Sequence, residues 1–140
     1  MSIKVVYFTR TGTSKRVAEK IADKLACEVI QVKDNMNWGG IFGFFKAGFY
    51  SSTNRKVKIE IVGNLKGAEE FILVTPLWAG GIAPASKAFF ETIPLNQIHL
   101  VVTSDGSSLG DRTGFRSVTD IPKNKKNEEE IINNLVNSLS

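Results

Sequence analysis

At 140 residues the chain has the length of one domain, since domains commonly run to ~100–150 residues, and it can bury a core without covalent staples. A make-up of 42% hydrophobic, 9% aromatic and 23% charged residues excludes disorder and fibrous repeats, while one cysteine (Cys27) and one histidine (His99) exclude an intrachain disulfide and give no ligand set for a structural zinc. The net charge of +4 is mild. The cations at 15, 16, 20 and 24, at 55, 56 and 58, and at 123, 125 and 126 alternate with Glu19, Asp23, Glu60 and Glu128 to Glu130, so no basic stripe for nucleic acid appears.

Residues 3–8 (IKVVYF) form an apolar run of strand type, closed by Thr9-Arg10-Thr11-Gly12. That run is shorter than the ~7–15-residue core of a secretory leader and far short of the ~20 residues of a membrane span, so the expectation is a cytoplasmic protein without membrane insertion. Over residues 14–25, Val17, Ala18, Ile21, Ala22 and Leu25 fall on one face, the pattern of an amphipathic helix. Residues 28–32 read as a second strand with Cys27 as a small buried hydrophobe before it. Segment 38–50 (WGGIFGFFKAGFY) concentrates aromatic residues, with Trp38, Phe42, Phe45 and Phe49 at helical spacing, and reads as a glycine-weakened helix packed on the sheet.

A third strand, strongly apolar, spans 70–75, and Pro84 opens a helix over 84–93 in the favoured first-turn position, with Ala85, Ala88, Phe89 and Ile93 inward. The fourth strand covers 97–103, with His99 expected to be a satisfied structural histidine, and a weaker fifth covers 116–121 before Pro122. The spacing predicts a last helix capped by Asn127, with Glu128 to Glu130 in its first turn and Ile131, Ile132, Leu135, Val136 and Leu139 on its apolar face. Strands apolar on both faces, alternating with one-faced helices, require a parallel sheet covered on both sides. The expectation is one doubly wound α/β domain over residues 1–140, with five parallel strands.

In such a sheet ligands bind beyond the carboxyl ends of the strands, where strand order reverses, which directs attention to three loops. The first, Thr9-Arg10-Thr11-Gly12-Thr13-Ser14, offers four hydroxyls, a glycine and a following helix N-terminus. That is a natural anion site suited to a phosphate monoester, with Lys15 and Arg16 adding positive charge. It has neither the GxxxxGK[ST] order of a nucleoside-triphosphate loop nor GxGxxG. The second loop, Thr75-Pro76-Leu77-Trp78-Ala79-Gly80-Gly81, places a large aromatic beside two glycines. The third, Thr103-Ser104-Asp105-Gly106-Ser107-Ser108, is small and polar, able to turn backbone groups toward a ring edge.

FTRTGTSKRVAEKIA, followed by TPLWAGGIAPASKAFFETI and VVTSDGSS, resembles the flavodoxin family of small electron carriers, in order and spacing over essentially the whole chain. The family's hydroxyl-x-Thr-Gly-x-hydroxyl pattern is met by Thr9, Thr11, Gly12 and Ser14. The resemblance implies a flavodoxin-like sheet with strand order 2-1-3-4-5. It also implies bound flavin mononucleotide (FMN), the phosphate being held by Thr9, Arg10, Thr11, Gly12, Thr13 and Ser14. The ring would lie against Pro76, Leu77, Trp78, Ala79, Gly80 and Gly81, with Trp78 stacked on it, and Thr103, Ser104, Asp105, Gly106 and Ser107 would line its pyrimidine edge. No metal is implied.

The chain departs from the family in being basic, in lacking a second ring-stacking aromatic in the third loop, and in leaving only about eight residues around 109–115 for the helix before strand five, which must be rudimentary. The function implied is a low-potential carrier shuttling single electrons between redox partner proteins that are acidic at the contact surface. The alternative is a reductase of quinones or nitro compounds that uses NAD(P)H. A phosphorelay receiver would need clustered acids where Phe8, Thr9 and Arg10 stand, and a low-molecular-weight phosphatase would need a loop cysteine, from which Cys27 is remote.

Overall fold

The structure, a computed structural model, describes residues 2–10, 12–34, 58–78, 81–104, 109–110, 112–122 and 125–139. In chain order these form β1 (Ile3–Tyr7), α1 (Thr13–Leu25), β2 (Val29–Asp34), β3 (Ile59–Val62), β4 (Glu70–Trp78), β5 (Gly81–Ile82), α2 (Pro84–Phe89), a 3₁₀ turn at Leu95–Gln97, β6 (Ile98–Ser104), β7 (Ser117–Pro122) and α3 (Lys125–Leu139). The aromatic segment 38–50 lies outside the described residues.

Five strands pair in parallel in the order β2-β1-β4-β6-β7, the order expected of a flavodoxin-like sheet. Side chains alternate across each strand, and both sets are apolar, so the sheet needs cover on both faces. Val5, Tyr7, Ile72, Val74 and Val101 pack under α1 and α3 with Val17, Ala18, Ile21, Ile132 and Leu135. Val6, Phe8, Phe71, Leu73, Leu100 and Val102 form the opposite layer with Ala85 and Phe89 of α2. Phe71 meets Phe89 edge to face at 6.2 Å between ring centroids. Cys27 is half-buried beside the first layer, and burial pushes its thiol up.

Two short strands extend this plan. β3 pairs antiparallel with β2, from Asp34↔Ile59 to Gln31↔Val62; Ile59 and Ile61 lean on the core while Glu60 and Val62 face outward. β5 folds back on the end of β4. α2 is shorter than the expected 84–93, ending at Phe89 and unwinding through single turns; Pro94 disfavours helical backbone at Ile93. Between β6 and β7 the described residues form bends and turns without a helix.

His99 is indeed a satisfied structural residue: its Nδ1 is 2.8 Å from Ser117 Oγ and its Nε2 is 3.2 Å from Glu70 Oε1. Arg116 Nε donates to the same Glu70 oxygen at 2.6 Å. This set, in which His99 and Glu70 are buried, ties β4, β6 and β7 together at their amino ends, the end of the sheet opposite the three loops.

The last helix corrects the sequence reading. α3 begins at Lys125, so Asn127 is inside it rather than capping it. Glu128 instead faces α1, where Arg16 Nη1 and Nη2 donate to its two carboxylate oxygens at 2.6 Å each and Lys20 Nζ donates at 3.1 Å. The Arg16 hydrogen bonds, helped by Lys20, hold the Glu128 carboxyl down from the ordinary 4.5 to about 2. A carboxyl whose folded value is depressed stabilises the fold above its unfolded value, and that stability disappears as pH falls from 4.5 toward 2. With Arg16 half exposed, the contribution is on the order of 1–3 kcal/mol. Glu128→Gln is therefore expected to lose that amount in urea unfolding at pH 7 and to converge with the parent protein toward pH 2. An equal deficit at both pH values would contradict the assignment.

Candidate functional site

β1 leads through α1 to β2 on one side of it, whereas the next parallel strand, β4, pairs on its other side. Strand direction of travel therefore reverses between β1 and β4, and a crevice opens outside their carboxyl ends. Parallel pairing brings the ends of β1, β4 and β6 to the same edge.

The first loop leaves the ladder at Phe8, whose N–H donates to Val74 O at 3.0 Å. Thr9 Oγ1 then accepts the Gly12 N–H at 2.9 Å, which leaves the hydroxyl proton of Thr9 to donate elsewhere. Gly12 takes φ +99°, a left-handed value suited to glycine, with nothing within 4 Å of where a Cβ would stand. No side chain caps α1 and no acid sits in its first turn. Its first amides have no intrahelical acceptor, and the helix dipole makes this end favourable for an anion. Thr13 is exposed and Arg10 half-buried, while Thr11 lies outside the described residues.

Ser14 behaves differently from its neighbours. It is 1% exposed, and its Oγ lies 3.0 Å from Thr103 Oγ1, itself buried, at the end of β6. Two residues singled out from separate loops thus meet in one hydroxyl pair, joining the first loop to the third. Ser104 is half-buried opposite Pro122, and residues 105–108, including Asp105, Gly106 and Ser107, lie outside the described residues.

The second loop is largely a strand. β4 continues past the end of β1 to Trp78, and Leu77↔Ile82 and Trp78↔Gly81 pair it with β5 around Ala79 and Gly80, which are not among the described residues. Pro76 is tolerated because its nitrogen faces the same side as the Val74 backbone, where β1 has already ended. Leu77 is 8% exposed within the core, so only its backbone can serve a ligand. Below this hairpin, Ser86 Oγ donates to Thr75 Oγ1 at 2.6 Å, both side chains being fully buried. That contact pins the start of α2 under β4; the sequence signal for it, a serine amid alanines in APASKAFF, looks like ordinary helix composition.

The electrostatics also differ from the sequence reading. Arg16 is turned toward Glu128, and Lys15 Nζ is 4.0 Å from Glu19 Oε1. Among the described residues no group of three or more metal-binding side chains occurs, and no helix is long and apolar enough to cross a membrane.

No family model and no curated protein sequence matches the chain. Solved structures do match it. A protein from Bacteroides eggerthii DSM 20697 superposes with a TM-score of 0.73 at 18% identity, over 96% of this chain and 95% of that one. A flavoprotein from Lactobacillus acidophilus NCFM, crystallised in complex with FMN, gives 0.65 at 15% identity over 92% and 97% of the two chains. A WrbA-like flavodoxin from Agrobacterium tumefaciens gives 0.52 at 13% identity over 99% of each. The fold is flavodoxin-like. In this flavodoxin-like frame the uncapped end of α1 and the Ser14–Thr103 pair stand at the switch point.

Thr103→Val should leave the Ser14 hydroxyl buried without a partner, costing ~1–3 kcal/mol of stability, whereas adding Ser14→Ala should recover much of the loss. Additive losses in the double variant would show that the two hydroxyls do not depend on each other.

Proposed function

We propose that this flavodoxin-like chain binds FMN and passes single electrons between redox proteins. The observation that carries the reading is the uncapped N-terminus of α1, with Gly12 open to close approach and the Thr9 proton left to donate, at the switch point of a fold shared with a protein crystallised with FMN. The donor set suits a phosphate monoester: amides 13–15, the Thr9 hydroxyl and those of Thr11 and Thr13. Thr9 to Ser14 hold the phosphate in this reading, with Ser14 acting through Thr103 to fix the loop. The hairpin from Pro76 to Gly81 and the loop from Thr103 to Ser107 flank the ring, Trp78 being the stacking residue. FMN, when bound, supplies one- and two-electron chemistry, while the protein supplies binding, orientation and the surrounding charges. The chain works as a soluble carrier in the cytoplasm, and its net charge of +4 favours donors and acceptors with acidic contact surfaces.

A carrier needs no nicotinamide site of its own. Titration with FMN should load one equivalent and give the visible bands of bound flavin. NADPH alone should leave those bands unchanged, and adding a separate NADPH-dependent reductase should bleach them. Steady NADPH consumption with a quinone, by the FMN-loaded protein alone, would replace the carrier reading with that of a reductase.

A further inference from the structure

Arg16 sits one helical turn above the first loop, its amide donating to Gly12 O at 3.0 Å. Long side chains on a helix lean back toward its N-terminus, and Arg16 lines one surface groove with Gly12, Lys15, Glu19, Lys20 and Asp23. Arg16, like Lys15, is thus a cation within about one turn of that helix end. Both of its terminal nitrogens are instead committed to Glu128, at 2.6 Å each, in a planar two-pronged pairing. Glu128 is largely buried between the two helices, its side chain 11% exposed, and it also takes Lys20. Glu129 binds Lys20 and Lys24 beside it, so the α1 cations facing α3 are engaged by its acids.

We propose that Glu128 is a specificity-determining residue for the anion site: by holding Arg16 it keeps that guanidinium's charge off the phosphate, leaving recognition to the groups of the first loop. This deepens the FMN reading and rests on it for the identity of the ligand. α3 thereby sets how strongly a phosphorylated flavin is preferred over an unphosphorylated one, without touching either. Glu128 acts through Arg16 and is a positioning residue.

The test compares FMN and riboflavin dissociation constants, by flavin fluorescence, at low and high ionic strength. Glu128→Gln should bind FMN about three- to tenfold tighter at low salt, with the gain erased at high salt and riboflavin unchanged. Adding Arg16→Gln to Glu128→Gln should abolish the gain. Equal weakening of both flavins in Glu128→Gln, or a gain that survives removal of Arg16, would overturn the proposal. Arg16→Gln alone keeps it falsifiable if the Glu128 variant folds poorly: FMN affinity should stay within about twofold, since an engaged arginine is no ligand, and a selective tenfold loss of FMN would overturn it. Inorganic phosphate separates this proposal from the flavin reading. Followed by the amide NMR shifts of Gly12, Thr13 and Lys15, phosphate should bind more tightly to Glu128→Gln than to the parent. That result without flavin binding would sink the FMN reading alone, whereas phosphate that leaves those amides unmoved would sink the role of Glu128.

Discussion

The pairing of β4 with β1 on one side and β6 on the other, all parallel, is the constraint from which the other features follow. A parallel ladder cannot be closed by tight turns, so each strand must be followed by a crossover that covers one face of the sheet. The alternating apolar sets of these strands require that cover on both faces. Ile72 and Val74 look toward α1 and α3, Phe71 and Leu73 toward α2. Covering both faces while reversing direction between β1 and β4 brings three carboxyl-end loops to one edge. The site is a consequence of how the core is buried.

Two small hydroxyl pairs and one ion pair then fix what the loops present. Ser14 with Thr103 joins the first loop to the third, and Ser86 with Thr75 seats α2 beneath the β4–β5 hairpin. Buried hydroxyls left without partners are costly, so each pair specifies one arrangement of its loop. The Arg16–Glu128 pairing does the same for charge. In a chain with a net charge of +4 the arginine of the first turns of α1 is thus engaged by an acid of α3, and the charge count in the sequence says nothing of that.

Much of this was legible before the structure. The parallel strands were visible because their burial on both faces makes them apolar throughout, and α1 because its stripe repeats at 3.6 residues. β3 carries a real period-two signal in Ile59, Glu60, Ile61 and Val62 but is only four residues long, and β5, with two, has no period to read. The start of α3 differs from the sequence reading because Asn-Glu-Glu-Glu has the composition of a helix start, whereas Glu128 lies inside the helix and meets Arg16 of another helix. Partners 112 residues apart leave no local pattern. The same holds for Ser14 and Thr103: each is recognisable as a loop hydroxyl, but that they meet depends on β4 pairing with both β1 and β6.

Everything proposed for the site depends on the first loop holding a phosphate, and the pair of ligands that differ only in that phosphate tests it. In a Thr9→Val/Thr11→Ala variant that remains folded, two hydroxyl donors are removed, each worth ~1.5–3 kcal/mol toward a charged acceptor. FMN should then bind at least tenfold more weakly while riboflavin is little affected. Equal weakening of the two, or no change in either, would show that the phosphate is held elsewhere.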